Sequence, residues 1–254
     1  MIHVRTCYNS SKNQKDLNMK NSLGSVVAAA VSFASLLTGC PNPNIYGTPR
    51  TIPKGEIQHT VAIEGIGAFG GATTSTNSSG TTSTSTSAYL PSLPTYQLRY
   101  GVAERFDLGV RLGNLSLLGV DGKWNFVKGR VDLAVNPGVQ GTYFAIGDSS
   151  AAILYGNLPL LVGINFTPRI AMLLSPGIGF AAAVGGTASG SNAKYTGGSG
   201  FLTRIGGGFN FKVSDTFAVQ PEVTALWNPS STGVILSTGV GLTFGSQPDT
   251  SDLK

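Results

Sequence analysis

Apolar and polar residues alternate along most of the chain that follows residue 55. Over residues 131–143, within the segment 130–144, the odd-numbered positions are mostly Val, Leu and Tyr, whereas the even-numbered positions are Asp, Ala, Asn, Gly, Gln and Thr. A period of two is typical of β-strands, because successive side chains of a strand point to opposite faces of the sheet. The non-apolar face carries small residues, so the pattern predicts strands with an apolar outer face and a narrow, polar interior.

Ten segments show this alternation, and their connections differ at the two ends. Tight turns follow the second, fourth, sixth and eighth segments, whereas longer polar loops follow the first, fifth and seventh, at 71–91, 145–150 and 184–199. Short turns at one end and long loops at the other are typical of outer-membrane barrels, whose strands need about 9–11 residues. The pattern predicts an all-β fold, a single up-and-down antiparallel transmembrane β-barrel of about ten strands, with eight possible. The predicted strands are 56–70, 92–101, 106–113, 115–126, 130–144, 151–166, 169–183, 200–213, 216–228 and 233–244.

Two details of composition refine this prediction. Three similar stretches carry a proline in mid-strand, and because proline cannot donate to a ladder we expect bulges at Pro137, Pro176 and Pro221. The stretch 71–90 is rich in Ser and Thr, a composition that favours a mobile, solvated flap. The alternative interpretation of this stretch is an exposed adhesin or phage-contact surface.

Nine charged residues fall on the face predicted to line the lumen. We expect most of them to form ion pairs across a narrow interior, since buried charges must be paired. The alternative interpretation is a constriction that selects small solutes or ions. The set consists of Glu64, Arg99, Asp107, Arg111, Asp121, Lys123, Asp132, Arg204 and Glu222.

The N-terminal region has the parts of an export signal. Lys20 precedes an uncharged apolar run at 23–37, and small residues follow it. This run is too short for a transmembrane helix, which needs about 20 apolar residues. We therefore expect a cleaved helical signal peptide over 1–39, with translation starting at Met19.

The end of this signal carries a short motif. Leu37, Thr38 and Gly39 precede Cys40, and these four residues resemble the lipobox of bacterial lipoproteins. The resemblance implies that the thiol of Cys40 receives a lipid and that cleavage before it leaves an acylated N-terminus. Acyl chains hold a protein to a membrane by apolar burial.

Charge and composition exclude one class of partner. The chain has a formal charge of +5, but its leader holds four basic residues and one acidic residue, which leaves 13 basic and 11 acidic residues in the mature protein. The remaining charges are scattered rather than arranged in a basic stripe, so we expect no nucleic-acid partner. We also expect no cofactor and no metal.

Two features could indicate catalysis. The stretch GIGAFG at 65–70 matches a dinucleotide-binding spacing, but no helix is predicted after it, so we interpret it as a glycine-rich strand end. His59 is the sole histidine after residue 40 and falls on the predicted lipid-facing side, where a base for a nucleophile is not expected. The sequence thus predicts a protein that is not an enzyme.

The chain over 52–245 resembles the small β-barrel proteins of the bacterial outer membrane, and the stretch YGVAERFDLGVRLG at 100–113 is similar to their turn-and-strand units. Aromatic residues, among them Trp124 and Phe244, crowd the tight-turn end, as in the girdles of such barrels. The resemblance implies a location in the outer membrane, with both barrel termini on the periplasmic side.

These observations divide the chain into a signal peptide (1–39), a lipidated linker (40–54), a barrel (55–245) and a polar tail (246–254). The expected function is that of a lipid-anchored outer-membrane barrel with a structural, binding or narrow, porin-like channel role, in contact with membrane lipid and with a small solute or protein partner. One alternative is a soluble periplasmic barrel, tethered by lipid, that binds a small apolar ligand. A weaker alternative is a membrane-embedded enzyme that modifies lipids.

Overall fold

Each strand of the barrel pairs with its neighbour in sequence, and the last strand pairs with the first. The computed structural model describes residues 42–253, apart from 78–79, 114–115, 147–148, 190–191 and 231–232. Within these residues all barrel pairings are antiparallel, and closure runs from Gln58↔Gly245 to Phe69↔Val234. The prediction of an all-β, up-and-down barrel of ten strands is confirmed.

Three of the ten strands are interrupted and therefore have two parts. The strands are β1 (Ile57–Asn77), β2 (Gly80–Pro91 and Thr95–Ala103), β3 (Phe106–Gly113), β4 (Leu117–Val127), β5 (Val131–Val135 and Gly138–Ile146), β6 (Ser149–Thr167), β7 (Ile170–Leu174 and Gly177–Ser189), β8 (Asn192–Ser214), β9 (Phe217–Trp227) and β10 (Val234–Gly245). A short 3-10 helix, Ser251–Leu253, follows the barrel.

The long loops predicted at 71–91, 145–150 and 184–199 are wrong. β1 and β2 remain paired from Gly71↔Thr86 to Asn77↔Gly80, and β7 and β8 remain paired up to Ser189↔Asn192. β5 and β6 likewise pair up to Ile146↔Ser149. Apolar–polar alternation disappears from these polar tips, so the sequence showed no strand there, although threonine favours strand structure.

The prolines interrupt the sheet at two of the three predicted places. β5 is broken before Gly138 at Pro137, and β7 is broken before Gly177 at Pro176. The bulge predicted at Pro221 is wrong, because β9 keeps its register with β10 there through the pair Pro221↔Val240. A further break, which the sequence did not predict, separates the two parts of β2 at 92–94.

The two faces of the barrel have opposite character. Among the described residues, buried polar or charged residues outnumber buried apolar ones, and large apolar side chains such as Phe201, 72 % exposed, cover the outside. Leu118 and Ile178 are each 57 % exposed. The fold is thus apolar outside and polar inside, as the alternation predicted.

The interior is filled by residues 42–52, which we call the lumen segment. This segment forms neither helix nor strand, and its side chains are buried, with Asn44 and Ile52 fully so. At one end the amide of Ile52 donates to Asp107 Oδ2 (3.0 Å), and Thr51 Oγ1 donates to the carbonyl of Glu104 in the β2–β3 turn (2.9 Å). The segment then runs from this tight-turn end up the lumen toward Asn42. The sequence had predicted only a linker here.

Replacing Gly101 by alanine tests how closely the wall and the lumen segment approach. A Cβ atom at Gly101 would lie 2.6 Å from the carbonyl oxygen of Ile52 and closer still to that of Pro53, so backbone would have to move. We expect a loss of about 1–3 kcal/mol in unfolding free energy, as for other overpacked sites. Urea-induced unfolding of the purified protein measures it.

The control for this variant is Gly198→Ala, because a Cβ atom at Gly198 would meet no atom within 4 Å. Equal stability of the two variants would contradict the close packing of the segment against β2.

Candidate functional site in the barrel lumen

All nine charged residues predicted for the lumen point into it. Asp107, Arg204, Asp132 and Lys123 are at most 2 % exposed, and the remaining five are buried or nearly so. The set contains four cations and five anions, which leaves one negative charge. The lumen segment brings one charge of its own, the cation of Arg50, so these ten groups are balanced.

One cluster of ion pairs lies near the tight-turn end. Asp107 pairs with Arg99 and, at 3.3 Å, with the Nζ atom of Lys123. Arg99 pairs at the same time with Asp121. The pairing that the sequence predicted therefore exists for these four residues.

Two glutamates bind the lumen segment through its amide groups. The carboxylate of Glu222 accepts from the backbone amide of Ile45 (3.0 Å) and from that of Tyr46 (2.8 Å). Glu64 accepts from the side-chain amide of Asn42 and, from the wall, Thr95 Oγ1 (3.2 Å).

Three cations bind its carbonyl groups. Lys123 Nζ donates to the carbonyls of Thr48 (2.9 Å) and Arg50 (2.7 Å). Arg111 Nη1 donates to the carbonyl of Asn42 (3.0 Å), and Arg204 Nη2 donates to that of Pro43 (3.1 Å). Charges that could have coordinated a solute are thus engaged by the chain itself.

This arrangement follows from the local sequence. Pro43 and Pro49 lack an amide hydrogen, which makes the segment a poor strand, and the wall of a closed barrel has no free edge to pair with. Buried backbone groups nevertheless need partners. Inward-pointing charged side chains of the wall supply them.

Glycines of β10 make room for the aromatic side chain of the segment, Tyr46. A Cβ atom at Gly241 would lie 2.8 Å from Cδ1 of Tyr46, and one at Gly239 would meet the hydroxyl of the same residue. Tyr46 has a φ of 48°, which non-glycine residues rarely adopt, and its hydroxyl accepts from Asn44 Nδ2 (2.9 Å). The glycines of β10 therefore leave the space that the aromatic ring of Tyr46 occupies.

The C-terminal tail fixes the tight-turn end of the segment. Arg50 donates from Nε to Asp132 Oδ2 (2.7 Å) and from Nη1 to Asp252 Oδ1 (2.5 Å) and to the carbonyl of Asp249 (2.6 Å). The hydrogen bond from Arg50 lowers the pKa of the Asp252 carboxyl, and hydrogen bonds from the amide and hydroxyl of Ser251 lower the pKa of Asp249 to about 2. The lowered pKa of Asp252 favours the charged carboxylate that pairs with Arg50.

The remaining candidates lie elsewhere. His59 is on the exposed outer face, with Nδ1 2.6 Å from the hydroxyl of Tyr96, and the GIGAFG stretch lies inside β1. The signal peptide, its motif residues Leu37, Thr38 and Gly39, and Cys40 fall outside the described residues. Within residues 42–253, apart from the gaps given above, no group of three or more His, Cys, Asp or Glu side chains could hold a metal ion, and no helix is long and apolar enough to cross a membrane.

The sequence did not predict that residues 42–52 of the expected linker fill the lumen of the barrel. The stretch NPNIYGTPRTI carries two prolines, a tyrosine and one arginine, a composition that also suits an exposed linker. The available signal was the excess of one negative charge among the predicted lumen residues, which called for a further cation.

Comparison with known proteins gives a likeness of fold only. No family model matches the chain, and no curated protein matches it. Among solved structures, the outer membrane protease OmpT from Escherichia coli aligns with 77 % of this chain and 97 % of its own, at 6 % identity and a TM-score of 0.40. The translocator domain of the autotransporter NalP from Neisseria meningitidis aligns with 89 % and 97 %, at 9 % identity and a TM-score of 0.38.

A third structure is that of Ail, the attachment invasion locus protein of Yersinia pestis. It aligns with 75 % of this chain and 99 % of its own, at 10 % identity and a TM-score of 0.32. Since all three TM-scores lie below 0.5, no function is transferred from these proteins.

Replacing Asp107 by asparagine tests the ion-pair cluster. The substitution would leave Arg99 and Lys123 buried with one counter-charge fewer, and breaking a buried pair typically costs about 3–5 kcal/mol. We expect a fall of that size in unfolding free energy, measured by urea titration of the folded barrel.

Asp215→Asn is the matched control for this variant. Its carboxylate contacts Lys212 at 3.1 Å but is 96 % exposed, so we expect no measurable change. A similar small effect at both positions would show that the cluster does not hold the barrel together.

Proposed function

We propose that this chain is an exported outer-membrane lipoprotein, anchored through Cys40, whose barrel is closed by its own lumen segment. In this proposal it has a structural or binding role in the cell envelope, and it is neither an open channel nor an enzyme. The observation that carries the proposal is the hydrogen-bonded lumen segment inside a barrel whose outer face is apolar.

The outer face supports a membrane location. Large apolar residues are exposed on every strand, and aromatic residues gather near the tight turns, where Trp124 is 55 %, Phe166 54 % and Phe244 44 % exposed. In water such a surface would be unfavourable by about 25 cal/mol for each Å² of apolar area. In a bilayer it matches the hydrocarbon, and the aromatic side chains fit the interface.

The same distribution disfavours a soluble barrel with an apolar ligand. Such a barrel needs an apolar interior, whereas the interior here holds Arg50, Asp107, Lys123 and the other charges described above. Two internal cavities that touch Ile45 each offer about 10 Å³, which is room for about one water molecule.

The filled interior also disfavours a diffusion channel. Ten-stranded barrels are only slightly wider than eight-stranded ones, whose side chains already fill the interior. Here the wall contributes charged side chains and the lumen segment occupies the axis. A solute would have to displace the segment and leave several buried charges without partners.

Membrane integration without the lipid tests the first part of the proposal. Residues 1–40 are replaced by a non-lipoprotein signal peptide, and membranes are extracted with alkaline carbonate. We expect the protein to remain in the outer-membrane pellet, because the apolar strands hold it there. Recovery as a soluble periplasmic protein would overturn the barrel's membrane location. Labelling of the full-length chain with radioactive palmitate, lost in Cys40→Ala, tests the lipid.

Conductance tests the second part. The purified full-length protein is reconstituted in a planar bilayer, and we expect no steady ion current, since the lumen segment fills the interior. A variant without residues 42–52 serves as the comparison and is expected to conduct if it folds. A stable current from the intact protein would overturn the closed barrel.

A further inference from the structure

The lumen segment has a defined direction across the barrel. Its C-terminal end, at Thr51 and Ile52, contacts Glu104 and Asp107 at the tight-turn end. Its N-terminal end, at Asn42, contacts Arg111 and Gln140, which lie farther from the tight turns. The segment therefore rises from the tight-turn end, where Ile52 contacts Asp107, toward the opposite end of β3, where Asn42 contacts Arg111.

Asn42 lies just below the rim formed by β3 and β4. Its carbonyl accepts from Arg111 Nη1 (3.0 Å) and from Gln140 Nε2 (2.8 Å). Arg111 is two residues from Gly113, where β3 ends, and Gly113 pairs with Leu117, the first residue of β4. β3 is the shortest of the ten described strands, so the wall is lowest on this side.

The position of Asn42 limits where Cys40 can be. Two residues of extended chain reach at most about 7 Å. The lumen between Asn42 and the tight turns is filled by the segment itself, so the chain before Asn42 cannot pass that way. The β3–β4 rim, in contrast, lies close to Asn42. Exposed apolar side chains surround this low rim on the outside, with Leu118 at 57 %, Leu112 at 48 % and Leu93 at 43 % exposure.

We infer that the lipid on Cys40 leaves the barrel over the β3–β4 rim and inserts into the outer leaflet, so that the N-terminus of the mature protein is on the cell surface. This inference rests on the proposed lipidation of Cys40. It follows because short turns face the periplasm in outer-membrane barrels, which places the opposite rim outside. The inference concerns the acylated N-terminus only, and the barrel termini Ile57 and Gly245 remain at the tight-turn end.

An inner-leaflet anchor would be incompatible with the lumen contacts. For Cys40 to reach the periplasmic leaflet, the segment would have to leave the barrel or reverse its direction. Glu222, Arg111, Arg204 and Lys123 would then lose the amide and carbonyl partners that they have here. Uncompensated buried charges are strongly destabilising.

Surface labelling tests the inference in the full-length chain. A Ser-Cys pair is inserted between Pro41 and Asn42, and intact cells are treated with a polyethylene-glycol maleimide too large to pass porins. The new thiol is the sole free one in the mature protein, because Cys7 lies in the leader and an acylated Cys40 has no free thiol. We expect a mass shift in intact cells.

Two control variants calibrate the reagent. A cysteine at Ser230, an exposed residue between β9 and β10 at the end opposite the tight turns, must react in intact cells, whereas a cysteine at Lys54, at the tight-turn end, must react only after the outer membrane is permeabilised. The same insertion carrying an epitope tag, detected by antibody on intact cells, repeats the test if the thiol reacts poorly. Barrel integrity of each variant is checked by carbonate extraction.

The outcomes separate the inference from the proposed function. Palmitate labelling with surface reactivity supports both. Palmitate labelling with reactivity only after permeabilisation overturns the outer-leaflet anchor and leaves the lipoprotein proposal standing. Absence of palmitate labelling overturns the lipoprotein proposal and the inference that depends on it.

Discussion

A closed β-barrel has no free strand edge, and this constraint governs the interior of the protein. A peptide inside such a barrel cannot complete its backbone hydrogen bonds by joining the sheet. The lumen segment also contains Pro43 and Pro49, which exclude regular pairing along its length. Its amides and carbonyls must therefore be satisfied by side chains that point inward from the wall, and most of those side chains are charged.

This requirement explains why a barrel with few charges concentrates them in its lumen. Glu222 and Asp107 accept from amides of the segment, whereas Lys123, Arg111 and Arg204 donate to its carbonyls. Arg50 adds the fifth cation and joins the segment to Asp132 and to the tail. A charged lumen, usually read as a path for ions, serves here to bind the chain that fills it.

Much of the fold could be predicted from the sequence. The ten strands, their tight turns and the inward direction of residues such as Arg99 and Asp132 follow from a period of two, which fixes the face of each side chain once the strand is known. The polar tips of β1, β2, β7 and β8 could not be predicted, because their sequences are almost uniformly small and polar and show no alternation. The interruption at Pro137 was predictable, because the missing amide hydrogen of proline is a local property. At Pro221 the strand keeps its register. Whether a proline interrupts a strand there depends on the neighbouring strand that its amide would face, which the local sequence does not show.

The sequence by itself determined the alternation, the strand count and the set of inward charges, because each of these depends on residues close together in the chain. Only the tertiary structure decided what the charges bind. Asn42 and Gln140, or Pro43 and Arg204, are far apart in sequence and meet only when the barrel closes around the segment. The direction of that segment through the lumen is a property of packing that no local pattern encodes.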